Sequence, residues 1–335
     1  MTRFERARSV RIAVASVLLF VLGACGGNAG AQEPTLIVGS PCKVCLRTML
    51  TAAGEDKNTS YRIEWADFDS APPLIEAMNA GRVDVAWMGE VPALFGISHG
   101  AKVKLLAASQ GPPEAASRIL VKQDSALRTV ADLKGKRVAM PFYTVTQYPL
   151  VKAFEKAGLG WNDVQMVNLS TTDGLAAFNS GQVDAFAIWD ANAATVETDH
   201  GGRTLQALGQ VANPDQTYAA GTATLSDPAK KAALGDLTRR VVRAMAWVDS
   251  HEIEWAQQMV QRTGISPGAA RLAAARDKWQ LAPIDDHVVG GWQQEVDYFH
   301  GIGQIKLPFA VRDTVAPGFG ALVADERAKL AKGPG

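Results

Sequence analysis

Cys42 and Cys45 form a CxxC pair, the most reactive spacing in the sequence. Where a strand runs into a helix, such a pair can close a short disulfide, contact a metal or soft ligand, or act as a redox couple whose thiolate the helix N-terminus stabilises. Two cysteines fall short of the four that would mark a zinc site. The histidines, His99, His200, His251, His287 and His300, show no HxH or HExxH spacing. No Ser-His-Asp set, phosphate-binding loop or dinucleotide fingerprint is present, and Gly301 to Gly303 is too weak a fragment to be one. Neither a catalytic constellation, a metal site nor a cofactor is therefore expected. What remains is the chemistry of recognition.

That chemistry gathers at a repeat. Asn79-Ala-Gly81-Arg-Val83-Asp84-Val85 returns one hundred residues later as Asn179-Ser-Gly181-Gln-Val183-Asp184-Ala185. Each copy reads as a helix ending at Asn, a Gly supplying the left-handed residue beyond it, and a buried strand. Val85 to Met88 and Ala185 to Ile188 are continuously apolar, as parallel strands covered on both faces should be. The same offset aligns Gly89 with Trp189 and Glu90 with Asp190, just beyond the strand ends where ligands sit in open α/β sheets. Two similar lobes facing one cleft follow.

Two carboxylates at equivalent mouths favour an ammonium group and disfavour a bare inorganic anion unless Lys43 or Arg47 offsets them. The competing reading leaves Glu90 as a cap for the helix at 91–98. Trp189 can stack on an alkyl chain or ring, or face a cation. Trp87 aligns with Ala187 inside the strand and is expected in the core. Ser70 precedes Ala71-Pro72-Pro73 and a helix, so it either caps that helix or joins its free N–H groups in holding an anionic head. Ser40 and Cys42 lie after the strand at 35–38. Thr144 and Thr146 lie between the strand at 137–140 and the helix at 147–158, and their hydroxyls suit sulfonate or phosphate oxygens. For Thr171, Thr172 and Asp173, helix capping is the stronger reading.

The elements that position these residues alternate. Strands are expected at 35–38, 61–65, 83–88, 103–108, 118–122, 137–140, 164–168, 183–188 and 218–224. Helices are expected at 44–53, 72–80, 91–98, 147–158, 173–179 and 191–198. Beyond 227 only helices are expected, at 228–250, 252–263, 267–279 and 285–301. Asp227-Pro228 and Ser266-Pro267 are good helix starts. The tail at 306–335 is expected to be loosely packed.

The chain has 335 residues, with 34 Lys and Arg balanced by 34 Asp and Glu. That length suggests two domains, and the balance argues against a nucleic-acid partner. Arg3, Arg6, Arg8 and Arg11 precede an apolar run from Ile12 to Leu22 that is short of the ~20 residues a span needs. Residues 1–24 therefore read as an export signal. Leu22-Gly23-Ala24-Cys25 resembles a lipobox with Cys25 as the lipidated residue; the competing cleavage follows Ala31. Without 1–24 the chain keeps 30 basic and 33 acidic residues, and it is expected outside the cytoplasmic membrane, tethered through Cys25. An oxidising compartment would favour a Cys42–Cys45 disulfide.

Four stretches together resemble the periplasmic solute-binding proteins of ABC importers for aliphatic sulfonates and taurine, whose relatives bind nitrate or thiamine precursors. They are Asp69 to Gly81, Val83 to Pro92, Asp132 to Val138 and Val183 to Asp190. The resemblance covers most of residues 34–300. It implies an α/β type II periplasmic-binding-protein fold, two lobes joined by a two-strand hinge with a ligand cleft between them. Lobe 1 would comprise 34–117 plus 222–305, and lobe 2 would comprise 118–221. It also implies that the Thr144–Thr146 loop touches ligand. The function implied is that of a receptor, not an enzyme, delivering a small organosulfonate-like solute to an ABC permease and its ATPase; a monomer is expected. The candidate ligand residues are Ser40, Cys42, Ser70, Gly89, Glu90, Thr144, Thr146, Trp189 and Asp190. Two departures stand out. Ala71 replaces a Gly common in these proteins, and the CxxC is foreign to their pattern. The alternatives are the same fold binding nitrate or a pyrimidine or thiamine precursor, or a CxxC-dependent redox, metal or soft-ligand protein.

Overall fold

The computed structural model describes residues 33–212 and 215–332. The export signal and Cys25 lie outside the described residues. The chain builds β1 (Thr35–Ser40), β2 (Arg62–Asp67), β3 (Val85–Gly89) and β4 (Val103–Gln110) before leaving this sheet. It then builds a second sheet from β5 (Arg118–Lys122), β6 (Arg137–Met140), β7 (Gln165–Asn168), β8 (Ala185–Ile188) and β9 (Gly202–Ala207). It returns as β10 (Asp215–Gly221) and β11 (Gln280–Ala282).

The first sheet has the order β2-β1-β3-β10-β4-β11 and the second β7-β6-β8-β5-β9. Element for element these match, apart from β11 at one edge. In each, a central apolar strand has a parallel neighbour (β1 beside β3, β6 beside β8) and an antiparallel one (β10 beside β3, β5 beside β8). The antiparallel strand is always the first one built after crossing from the other sheet.

The helices are α1 (Leu46–Ala52), α2 (Ala71–Asn79), α3 (Glu90–Ser98), α4 (Gln147–Lys156), α5 (Thr171–Asn179) and α6 (Asn192–Asp199). They continue as α7 (Thr222–Ser226), α8 (Pro228–Ser250), α9 (Glu252–Thr263), α10 (Pro267–Arg276), α11 (Asp286–Gly301) and α12 (Phe319–Lys332). Both faces of the first sheet are covered: α1, α8, α9 and α10 share one apolar cluster with it, and α2, α3 and α11 share another. That is why β3 is buried at all five positions.

The hundred-residue repeat is a repeat of hydrogen bonds. Gly81 and Gly181 take positive φ, +69° and +73°. Beyond α2, the N–H groups of Gly81 and Arg82 donate to the carbonyls of Met78 and Ala77; beyond α5, Gly181 and Gln182 donate to Phe178 and Ala177. Both are Schellman endings. The aspartates are equivalent too, since Asp84 accepts the Ile37 N–H and Asp184 the Arg137 N–H, each at 2.8 Å. Each Asp fastens the start of its own strand to the parallel neighbour.

Three expectations are corrected. The strand at 215–221, assigned by resemblance to lobe 2, is hydrogen-bonded between β3 and β4 in the first sheet. The helical region carries β11, which extends that sheet along β4. The tail is packed: Ala316 donates to the Leu105 carbonyl at 2.8 Å, and Phe319 and Val323 of α12 are buried in the first core cluster. Phe319, Leu322 and Val323 form a helical stripe that the surrounding Pro, Gly and charge obscure.

Candidate functional site

A cleft of about 1120 Å³, open mouth included, lies where the carboxyl ends of β3 and β8 meet. Ser70, Gly89, Glu90, Thr144, Trp189, Asp190 and Cys42 all line it. Ser40 does not; it is buried behind the wall, its hydroxyl donating to the Cys42 carbonyl at 2.9 Å. Thr146 does not either. It is wholly buried and shares a 2.8 Å hydrogen bond with Ser117, tying α4 to the segment that crosses between the sheets.

On the wall formed by the first sheet, Cys42 and Cys45 are joined in a disulfide ahead of α1. Ser70 is the N-cap residue of α2 yet makes no capping hydrogen bond, so its hydroxyl is not consumed by its own helix. Gly89 ends β3. A Cβ there would stand 2.8 Å from the Val145 Cβ of the opposite wall, so only glycine lets the two walls come this close.

Trp87 is both core and site. It is 3% exposed, as the strand pattern predicts, but it also lines the cleft, and its indole N–H has no partner. Trp279 packs edge-on against it with ring centroids 6.1 Å apart and lines the cleft as well. Trp189 faces the same space from the other sheet. An aromatic lining of this kind suits the apolar body of a small solute.

Glu90 and Asp190 are not equivalent in chemistry. Asp190 accepts the Ala194 N–H at 2.9 Å and lies 3.5 Å from the Arg276 guanidinium. Burial raises its carboxyl above the ordinary range, while Arg276 and Arg118 pull it back. Arg276 also pairs with Glu197 at 2.7 Å. Glu90 opens α3 at 4% exposure with no cation beside it, and its Oε2 lacks a hydrogen-bond partner. Burial pushes its carboxyl well above the ordinary range, and the neighbouring Glu295 pushes it further. Asp215 and Asp277 complete the acidic lining. Burial lifts Asp215 to about 6, and lifts Asp277 to about 7 despite the Trp255 indole N–H donating to it at 2.7 Å.

The cation on the wall is Arg276, not Lys43 or Arg47, neither of which lines the cleft; Arg47 pairs with Asp67 at 2.8 Å. Thr171, Thr172 and Asp173 stay at the start of α5, where the Ser170 hydroxyl accepts the Asp173 N–H, and they do not line the cleft. Among the described residues, no group of three His, Cys, Asp or Glu side chains could hold a metal. Sequence reasoning missed Trp87, Tyr148, Asp215, Arg276, Asp277 and Trp279. Strand alternation places Trp87 on the face of Gly89, which is a usable signal; Arg276, the last residue of α10, and Asp277 just after it carry none.

Residues 56–267 match a family described as the phosphonate periplasmic substrate-binding protein of ABC transporters. A protein of Escherichia coli (strain K12) named for binding aliphatic sulfonates is 37% identical over 136 residues, 41% of this chain and 42% of that one. The taurine-binding periplasmic protein of the same strain is 30% identical over 145 residues, 43% of this chain and 44% of that one. The chain thus spans less than half the length of these two curated relatives. The solved alkanesulfonate-binding protein SsuA from Xanthomonas axonopodis pv. citri, bound to MOPS, is 27% identical with a TM-score of 0.78, covering 85% of this chain and 99% of that one. The two-sheet α/β architecture is that of such periplasmic binding proteins. By its sequence over 56–267, the chain belongs to the periplasmic substrate-binding family of ABC transporters.

Proposed function

We propose that this protein is an extracytoplasmic receptor that captures a small organosulfonate in the cleft and delivers it to an ABC permease and its ATPase. The observation that carries the reading is the cleft itself: Trp87, Trp189 and Trp279 wall it, while the Ser70 hydroxyl is left free by its own helix and the Trp87 N–H lacks a protein acceptor. Such groups suit a solute with an apolar body and an oxygen-rich anionic head. The relatives named for aliphatic sulfonates and taurine support the class of solute.

Affinity in this reading comes from closure. Opposing walls already meet in the structure: Gln147 donates to Gln304 at 2.9 Å, and the Tyr148 and Phe299 rings lie 6.0 Å apart. A solute touching both walls favours the closed arrangement by its differential contacts. Both walls come from one chain, so a monomer suffices. The Cys42–Cys45 disulfide fixes the loop ahead of α1, and the family is one of substrate-binding transport proteins, which supports a receptor rather than an enzyme. The family places it in the periplasm, and Leu22 to Cys25 supports a lipid anchor at Cys25. Cys25→Ala should then move the protein from the membrane fraction to the soluble one; an unchanged distribution removes the anchor.

The test is thermal unfolding of the full-length chain across taurine, alkane- and arylsulfonates, sulfate, nitrate and pyrimidine precursors. A solute that binds only the folded form adds about 2.7 kcal/mol at a hundredfold excess over its Kd. A shift confined to sulfonates supports the receptor reading. A shift with nitrate or a pyrimidine precursor, and none with sulfonates, overturns the solute class.

A further inference from the structure

Of the five residues between β1 and α1, four line the cleft: Pro41, Cys42, Val44 and Cys45. A disulfide spans this loop, and its two ends are anchored unequally. Cys45 is 7% exposed and belongs to the first core cluster with Leu46, Met49 and Trp87. Cys42 is half-buried at the edge of that cluster, on the cleft side. The Cys42 carbonyl accepts the Ser40 hydroxyl at 2.9 Å and the Cys45 N–H at 3.4 Å, and the Lys43 carbonyl accepts the Thr48 hydroxyl at 2.6 Å. Those bonds hold backbone carbonyls. The Cys42 side chain is tied to the core through the disulfide.

The fold does not depend on this bond. A ring closed at a sequence separation of 3 removes little entropy from the unfolded chain. Disulfides staple small domains that cannot build a sufficient core, whereas here apolar clusters cover both faces of the first sheet. The effect of the bond is therefore local: it holds one wall of the cleft in place.

We propose that the Cys42–Cys45 bond is a redox site in the cleft wall, opened by a dithiol reductant, and that the reduced receptor holds its solute more weakly. The proposal rests on the receptor reading and adds regulation to it.

The step is thiol–disulfide exchange. One thiolate of the dithiol attacks the Cys42 Sγ from the cleft, and the S–S bond breaks with its electron pair on Cys45. The second thiolate then displaces Cys42 and closes the reductant's own disulfide. Two electrons pass to the cysteine pair, and the two protons the dithiol gave up end on the Cys42 and Cys45 thiols. Two thiols cannot stay at bonding distance. Cys45 is confined by the core, so Cys42 moves and the wall loosens with it. A solute must then order a wall that the disulfide otherwise holds ready, and that cost is taken from its affinity. By linkage, bound solute resists reduction by the same factor.

The experiment titrates ethanesulfonate and taurine into the oxidised and the reduced full-length chain by calorimetry. In parallel, the chain is equilibrated in mixtures of reduced and oxidised dithiothreitol, with and without the sulfonate, and the Cys42–Cys45 thiols are trapped by alkylation and counted by mass. Reduction should weaken binding about tenfold, within the usual range of such couplings. Saturating sulfonate should raise the ratio of reduced to oxidised dithiothreitol at half-reduction by the same factor, about 30 mV for tenfold. The solute-free Tm should change little. The double variant Cys42→Ser, Cys45→Ser should bind as the reduced protein does in either buffer, and Cys42→Ser alone serves if the double variant does not fold. Equal affinity of the two forms with a half-reduction ratio indifferent to sulfonate would overturn the redox site and leave the receptor reading standing. So would a bond that excess dithiothreitol leaves closed in the folded protein, or a large fall in solute-free Tm on reduction. Binding of neither sulfonate to either form would overturn both.

Discussion

An indole N–H without an acceptor is costly to bury, and Trp87 carries one at the cleft wall. A solute oxygen that reaches it removes that cost, so Trp87 should act in binding beyond its share of the core. Trp87→Phe keeps an aromatic body and removes the donor. It should weaken solute binding by about tenfold, with ~1–2 kcal/mol lost from stability for the trimmed volume. Trp189 is only half-buried and should behave differently. Trp189→Ala should lose binding by a similar or larger factor with little change in Tm, as an aromatic anchor in a site does. Titration of both variants checks this, and unchanged affinity in either removes that ring from the site. The sequence placed Trp189 correctly at a strand mouth but counted Trp87 as core alone. It also treated Glu90 and Asp190 as alike. Their difference lies in Arg276 and Glu295, which come from distant helices and which spacing along the chain cannot pair.

Local signals served well for the elements, because the chemistry that ends a helix or buries a strand is local. Asn79 to Gly81 and Asn179 to Gly181 end their helices through the same Schellman bonds, and the boundaries of β5, β6, α8 and α9 agree with expectation to the residue. Elements held by tertiary contact alone were not legible. β9 (Gly202–Ala207) is buried outright only at its first residue and is strongly polar, and β11 has three residues. α12 looks like a tail until Phe319 and Val323 are seen in the core. Gly89 joins the two levels. Its backbone has negative φ, so an alanine is not strained there, but the added Cβ meets Val145 across the cleft. Overpacking of this kind costs ~1–3 kcal/mol, and here the cost falls on the closed arrangement. Gly89→Ala should therefore weaken solute binding about tenfold or more while the solute-free Tm changes little. Wild-type affinity in Gly89→Ala would mean that the walls need not approach so closely.

At the scale of the molecule, two sheets of matching order are built by one chain that crosses twice, and each crossing delivers the antiparallel neighbour of a central strand. The repeat around residues 79–90 and 179–190 exposed that duplication from sequence. The same repeat could not show that the cleft takes its cation, Arg276, and two further side chains, Asp277 and Trp279, from beyond the duplicated units. Those residues make the cleft asymmetric. The measurement that tests the central claim most directly is equilibrium dialysis of the full-length chain against radiolabelled taurine, with unlabelled ethanesulfonate and nitrate as competitors. The account predicts saturable retention of one taurine per chain, displaced by excess ethanesulfonate and not by nitrate. Retention no greater than that of a non-binding control protein, or displacement by nitrate alone, would contradict it.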